Sequence, residues 1–334
     1  MRLHAFSSAR NHQIHSARTY RRLCLSAILI AASLAMSQAD DLGRLGEPRV
    51  SITPRAPLGQ DSSAPTSRAI RLDVKVVLIP VTVTDLWDRP IAGLRKDDFH
   101  LFEDNVEQKI LYISSEDAPA SVGLIFDASG SMRDKMDTSV AAVEQFFKTR
   151  LPGDEFLLVR FSDRAQLISG FTGDVREISG SLHSFQAGGW TALNDAIYLG
   201  IQKMKKARNA HKALVILSDG GDNSSRYSSG EIRDLVREAD VRVYSVALLT
   251  GLLQGARFLE KISDETGGKM IKVRKLEELS DAMEKMSRDL RSQYVLGYYS
   301  SNSQNDGRYR KVRVQVNQPT VHASWRRGYY APAE

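Results

Sequence analysis

One cysteine, Cys24, stands in 334 residues. It falls in an N-terminal stretch that reads as a removable leader, so the rest of the chain carries no thiol. Disulfides, thiolate catalysis and cysteine-bound zinc are excluded for that remainder. Histidine is sparse as well: His4, His12 and His15 lie in the same leader, and His100, His183, His211 and His322 are scattered without an evident triad. The chain has no G-x-x-x-x-G-K-S/T phosphate loop and no G-x-S-x-G nucleophile elbow. An enzyme built on any of these devices is therefore not expected. No internal repeat stands out, which excludes a solenoid.

Acidic residues are missing from the first 39 positions, where Arg2, Arg10, Arg18, Arg21 and Arg22 precede the apolar run L-C-L-S-A-I-L-I-A-A-S-L-A-M. Ser37-Gln38-Ala39 then offers small residues, and the pattern is that of a secretory signal over 1–39 with cleavage after Ala39. The apolar run is short of the ~20 residues of a comfortable span, so a retained anchor is the secondary reading. Arg22 and Leu23 before Cys24 do not form a lipoprotein box. Without the five leader arginines the chain holds 41 basic against 40 acidic residues. The sequence pI near 9.3 is thus largely a property of the leader, and a nucleic-acid footprint loses its support. A local basic excess remains at Arg308, Arg310, Lys311, Arg313, Arg326 and Arg327. It reads as a solvated face, with peripheral membrane or cell-surface contact as the minor alternative.

With 42% hydrophobic and 26% charged residues, the chain has the composition of a globular protein. Residues 40–69 carry four prolines and three glycines before Arg68 and read as a flexible linker. From Ile70 an alternating pattern puts Leu72, Val74, Val76 and Leu78 on one face, breaks at Pro80 and resumes through Val81 and Val83. F-H-L-F-E-D and K-I-L-Y-I-S are two further short strands. From Ser121 strands and helices alternate. Strands are expected at 121–126, 155–161, 213–218, 241–246 and 269–273, and helices near 136–149, 174–183, 192–207, 230–238, 254–264 and 276–290. Continuous apolar strands separated by amphipathic helices argue for an α/β fold with a doubly wound, mainly parallel sheet covered on both faces. After Leu290 the chain returns to β at 292–299 and 309–316. Neither β unit suffices for a sandwich alone. The expectation is one small β-sandwich made from residues 70–115 and 292–330, with the α/β domain, 119–290, inserted between them.

The stretch V-G-L-I-F-D-A-S-G-S-M, residues 122–132, ends a buried strand in three oxygen side chains: Asp127, Ser129 and Ser131. Ligands of open parallel sheets bind at the carboxyl ends of the strands. G-G-W-T-A-L, with Thr191 before a helix, and L-V-I-L-S-D-G-G-D-N, with Asp219 after a strand, should reach the same edge. Two carboxylates and three hydroxyls without nitrogen or sulfur suit a hard cation, magnesium first, with manganese or calcium as alternatives. Ser129 or Ser131 alone would be read as a helix cap; three segments at one edge reverse that.

D-A-S-G-S, the threonine of G-G-W-T-A-L and the aspartate of L-S-D-G together resemble the metal-ion-dependent adhesion site of von Willebrand factor type A domains, and R-F-S-D-R-A-Q resembles a further strand of that family. The flanks V-T-V-T-D-L-W-D-R-P-I-A-G-L-R-K-D-D-F-H-L-F-E-D, Y-V-L-G-Y-Y and R-R-G-Y-Y-A resemble the bacterial family labelled VWFA-related, abundant in Acidobacteria. The resemblance implies a Rossmann-like doubly wound fold, and a divalent ion at Asp127, Ser129, Ser131, Thr191 and Asp219 whose shell is completed by an Asp or Glu of a partner protein. It also implies that the helix ending near residue 290 shifts on occupancy and reorients the adjoining β unit. Trp190 replaces the glycine usual before the threonine and could line the rim or pack on a loop. Asp222 and Asn223 are expected to be loop-solvated, and Asp195 to favour its helix dipole. The resulting expectation is an exported, periplasmic or extracellular binding protein and not an enzyme. A purely structural metal, or a metal-dependent hydrolase, are the alternatives.

Overall fold

The computed structural model describes residues 76–115, 118–249 and 254–333. The expected leader (1–39), linker (40–69) and the first residues of the β unit (70–75) lie outside the described residues. The strands are β1 (Val76–Thr84), β2 (Phe99–Glu103), β3 (Val106–Gln108), β4 (Ile110–Ser114), β5 (Ala120–Asp127), β6 (Glu155–Phe161), β7 (Ala165–Thr172), β8 (His211–Ser218), β9 (Arg242–Leu248), β10 (Met270–Val273), β11 (Tyr294–Tyr299), β12 (Tyr309–Val316), β13 (His322–Trp325) and β14 (Gly328–Tyr330). The helices are α1 (Met136–Phe147), α2 (Val175–His183), α3 (Leu193–Met204), α4 (Ser229–Glu238), α5 (Gln254–Thr266) and α6 (Leu279–Arg291). None among the described residues is long and apolar enough to cross a membrane.

The central sheet has the order β10-β9-β8-β5-β6-β7. All pairings are parallel except β6 with β7. β5 lies in the middle, and all eight of its residues are buried, which is why it reads as an unbroken apolar run. Its alternate residues serve two cores. Val122, Leu124 and Phe126 pack with residues of α1, α2 and α6 on one face. Ile125 joins α3, α4 and α5 on the other. Gly200 lets α3 lie close on the sheet, since a Cβ there would sit 2.8 Å from Ile125 Cδ1.

Two smaller antiparallel sheets, β13-β1-β11-β4 and β14-β12-β2-β3, flank this domain. Each takes strands from before and after the α/β domain. Ile79, Val81, Val83, Leu296 and Tyr298 of one meet Phe99, Leu101, Val312 and Val314 of the other in a shared core, a sandwich of composite strands. β1 differs from the alternation read in the sequence. It runs through Pro80 without a break, and its core face is Ile79, Val81 and Val83, while Val76 and Leu78 are exposed. β13 pairs with β1 only from Val81 onward, so that side of the strand is open at Pro80, where a missing donor is tolerated. β7 is a strand the pattern does not announce, an edge strand with two register shifts against β6.

The sandwich is pinned to the α/β domain by charge. Asp88 accepts from Lys269 (2.5 Å) and from Lys285 on α6 (2.6 Å). Arg327 meets Asp264 of α5 at 2.5 Å.

Candidate metal centre

The carboxyl ends of β5 and β8 are adjacent, and the helices connected to them, α1 and α4, go to opposite faces of the sheet. A crevice opens between the two loops at such a point. The turn after β5 is held from both sides: Ala128 N–H donates to Phe161 O at 2.8 Å, and Ser129 N–H donates to Asp127 Oδ1 at 2.8 Å. Four of the five expected ligand residues form one hydrogen-bonded chain. Asp127 Oδ2 accepts from Ser218 Oγ (2.5 Å), Ser129 Oγ and Ser131 Oγ are 3.2 Å apart, and Ser131 Oγ donates to Asp219 Oδ1 (2.7 Å). Asp127 is fully buried, whereas Ser131 lies at the mouth.

Thr191 reaches the same edge through its backbone. Gly130 N–H donates to Gly189 O at 3.0 Å and Gly188 N–H to Ala128 O at 2.9 Å, stitching its loop to the serine turn. Thr191 N–H donates to Asn223 Oδ1 (2.7 Å), and Asn223 N–H returns a bond to Thr191 O (3.0 Å). Among the described residues its hydroxyl makes no hydrogen bond to the other four. Gly189 has φ +80°, and a Cβ there would sit 2.3 Å from Asp163 Oδ2, so glycine is required on both counts. Asp163, from the R-F-S-D-R stretch, accepts from Trp190 N–H at 2.7 Å and so positions the loop. The Trp190 side chain itself is turned outward, with 67% exposure, at the rim and not in a core.

The loop after Asp219 keeps the solvent contact expected of it, Asn223 being exposed, but its side chains are also bonded to its neighbours. Asp222 Oδ2 caps α3 by accepting from Asn194 N–H (2.8 Å), and Asn223 is engaged with Thr191. Asp195, in the first turn of α3, accepts from Arg226 N–H (2.9 Å) and Tyr227 N–H (3.2 Å). These side chains latch the threonine and aspartate loops together.

Sequence reading missed Lys135. Its ammonium donates to Ser131 O (2.9 Å) and forms an ion pair with Asp219 Oδ2, and the two side chains are 12% and 2% exposed. Only its spacing, one helical turn after Ser131, could have announced it. Burial pushes the Asp127 carboxyl above its ordinary value, bonds from Ser129 and Ser218 pull it back, and the charge of Asp219 pushes the same way as burial.

The donors test well against a hard divalent cation. They are oxygen only, those of Asp127, Ser129, Ser131 and Asp219 are joined by hydrogen bonds, and Asp219 and the Ser131 carbonyl already hold an ammonium. Among the described residues there is no group of three or more His, Cys, Asp or Glu that could hold a metal, so hydroxyls must share any coordination.

Parts of the chain are similar to known proteins. Residues 122–221 match the family model described as von Willebrand factor type A domain. Inter-alpha-trypsin inhibitor heavy chain H4 from Bos taurus is 29% identical over 164 residues, 45% of this chain and 18% of that protein. The chain therefore spans under a fifth of that relative. Among solved structures, a von Willebrand factor type A protein from Catenulispora acidiphila aligns with a TM-score of 0.49 at 13% identity, over 78% of this chain and 73% of that one. Proximal thread matrix protein 1 from the mussel byssus, with a zinc-occupied MIDAS motif, aligns with a TM-score of 0.46 at 19% identity, over 56% and 49%.

Proposed function

Since residues 122–221 match the von Willebrand factor type A domain model, we propose that the chain is a divalent-cation-dependent protein-binding module. The residues that would hold the ion are Asp127, Ser129, Ser131, Thr191 and Asp219, with magnesium the first candidate and manganese or calcium the alternatives. The observation that carries this reading is the convergence of two carboxylates and the serine hydroxyls on one crevice in which the Lys135 ammonium is also seated.

Charge balance then indicates the partner. Two carboxylates, one ammonium and a divalent ion sum to one positive charge, which a single carboxylate from outside neutralises. A partner protein presenting Asp or Glu fits that demand. The ion, when bound, supplies an electron-poor position for that carboxylate oxygen. The chain's own residues do the rest: Ser129 N–H and Ser218 orient Asp127, the Asn223 latch holds Thr191, and Ser131 aligns Asp219. Trp190 offers an exposed aromatic surface beside the site, a residue type favoured at binding hot spots.

The reading is one of binding, not catalysis. Asp127 is enclosed and doubly hydrogen-bonded, and Asp219 is neutralised by Lys135, so neither is poised as a general base. The leader pattern supports an exported protein, periplasmic or extracellular. Calorimetric titration of Mg²⁺ and Mn²⁺ into wild type and Asp127→Ala is the test, repeated with an aspartate-containing peptide. Saturable binding abolished by the substitution in a folded protein is expected, with peptide binding lost on chelation. Absence of metal binding to the wild type would refute the reading, and metal binding without any carboxylate ligand would favour a purely structural ion.

A further inference from the structure

Arg242 opens β9 at the amino-terminal edge of the central sheet, the edge opposite the metal centre. The neighbouring strand β8 has eight residues, so the two edges are separated by about 25 Å at ~3.3 Å per residue. The side chain is only 7% exposed. Its Nη1 donates to Thr82 Oγ1 of the sandwich (3.2 Å) and to Tyr244 OH (3.3 Å). Its Nε and Nη2 have no hydrogen-bond partner among the described residues, and no carboxylate of those residues pairs with it. An uncompensated guanidinium in such a place is destabilising.

Arg242 is among the residues lining a cavity of about 50 Å³ between the α/β domain and the sandwich, against which its Nε and Nη2 are closed off as the side chain stands. A water needs roughly 10–15 Å³ on this measure, so the cavity has room for several waters or for one small polyatomic group. Lys212, Arg326 and His211 also line it, with Pro80 and Gln293 on the sandwich side. The one acid in the lining, Asp240, is 82% exposed and paired with Arg326 at 3.3 Å. The surroundings are therefore net positive. Burial and the charge of Arg242 lower the His211 pKa. The two unpartnered nitrogens are those of the side-on fork with which arginine holds a carboxylate or phosphate through parallel bonds.

We propose that this cavity is a binding site for a small oxyanion, held bidentately by Arg242 Nε and Nη2 at the seam between the two domains. Because the same guanidinium ties β9 to Thr82 of β1, the anion completes a joint between sandwich and α/β domain. The site is independent of the metal reading and survives its failure.

The test is calorimetric and thermal titration of the full chain with inorganic phosphate, sulfate and acetate at ionic strength fixed with chloride, beside Arg242→Lys and Arg242→Met. Wild type should bind at least one of these anions saturably. Arg242→Lys keeps the charge but not the fork, and should weaken that binding at least about tenfold, roughly 1.4 kcal/mol. Arg242→Met should be the more stable protein without anion and the less stable one with it. Tetrahedral anions binding ahead of acetate would mark a phosphate-type ligand, and the reverse order a carboxylate. No saturable binding to the wild type would overturn the proposal. So would equal stabilisation of all three proteins, since sulfate and phosphate stabilise folded chains non-specifically by exclusion from their surface.

Discussion

Replacing Lys135 by methionine keeps the length of the aliphatic stem and removes only the ammonium. In the metal-free protein Asp219 would lose its counter-charge while its side chain is 2% exposed. Removing one partner of a buried pair costs about 3–5 kcal/mol when the other charge is stranded. Here Asp219 keeps the 2.7 Å bond from Ser131 Oγ, so a loss of about 2–3 kcal/mol is expected. For a folded unit of this size that corresponds to a fall in Tm of roughly 4–12 °C. A saturating divalent ion would supply the missing charge, and the loss should then shrink to below about 1 kcal/mol. Metal affinity should rise in the same variant, because the ion no longer competes with an ammonium for Asp219 Oδ2. The assay is urea unfolding of wild type and Lys135→Met, each in chelator and in excess Mg²⁺, with calorimetric metal affinities alongside. An equal loss of stability with and without the ion would refute the reasoning, as would unchanged or weaker metal binding by the variant.

The Asp127 carboxyl titrates above its unfolded value of 3.8, so its contribution to stability is full below that value and is lost as pH rises through the folded one. Asp127→Asn should flatten this acid-limb slope in chelator, read as Tm against pH, and abolish the response to metal. Trp190→Ala should change unfolding free energy by less than about 0.5 kcal/mol and leave metal affinity intact, because the indole is 67% exposed, while weakening carboxylate-peptide binding in a titration. In the sandwich core Glu103 accepts from Tyr298 OH (2.7 Å), Tyr329 OH (2.8 Å) and Ser300 Oγ (2.5 Å). Burial, reinforced by Glu103, pushes Tyr329 up to about 12. Glu103→Gln should cost about 2 kcal/mol in urea unfolding and bring a tyrosine ionisation to lower pH in ultraviolet titration.

The amino-terminal and carboxyl-terminal edges of the sheet do different things. At the carboxyl edge loops from β5 and β8, with the threonine loop before α3, leave the strands and are free to carry oxygen donors. At the amino edge the strands start under the sandwich, and Arg242 is buried because β1 lies against it. The three-residue Asp88, Lys269 and Lys285 cluster belongs to the same seam and joins the sandwich to α6. A change in α6 would therefore be felt at Asp88, which gives the coupling expected from the sequence a physical contact to act through.

The sequence by itself determined most of the local elements and the oxygen chemistry of the sheet's carboxyl edge. β5 reads as a strand because it is buried on both faces, and α1, α3 and α6 read as helices because each presents one apolar stripe to one face of the sheet. Asp127, Ser129, Ser131 and Asp219 were legible because strand ends and turn residues are set by short-range pattern. Only the tertiary structure decided the rest, for a common reason: the partner lies far away in the chain. Lys135 looks like a solvated helix-end charge until Asp219 arrives from β8. Asp222 looks like a loop residue until α3 meets it, and Asp195, in the first turn of α3 as expected, also takes the 226–227 backbone N–H groups. β1 carries apolar residues on both faces, so its alternation could not say which side would be covered; β11 and the facing sheet chose Ile79, Val81 and Val83. β7 has too weak a pattern to announce a strand, and it exists because β6 offers an edge to pair with. Arg242, within an otherwise ordinary strand, becomes a candidate anion site only where a sandwich from both ends of the chain closes over it.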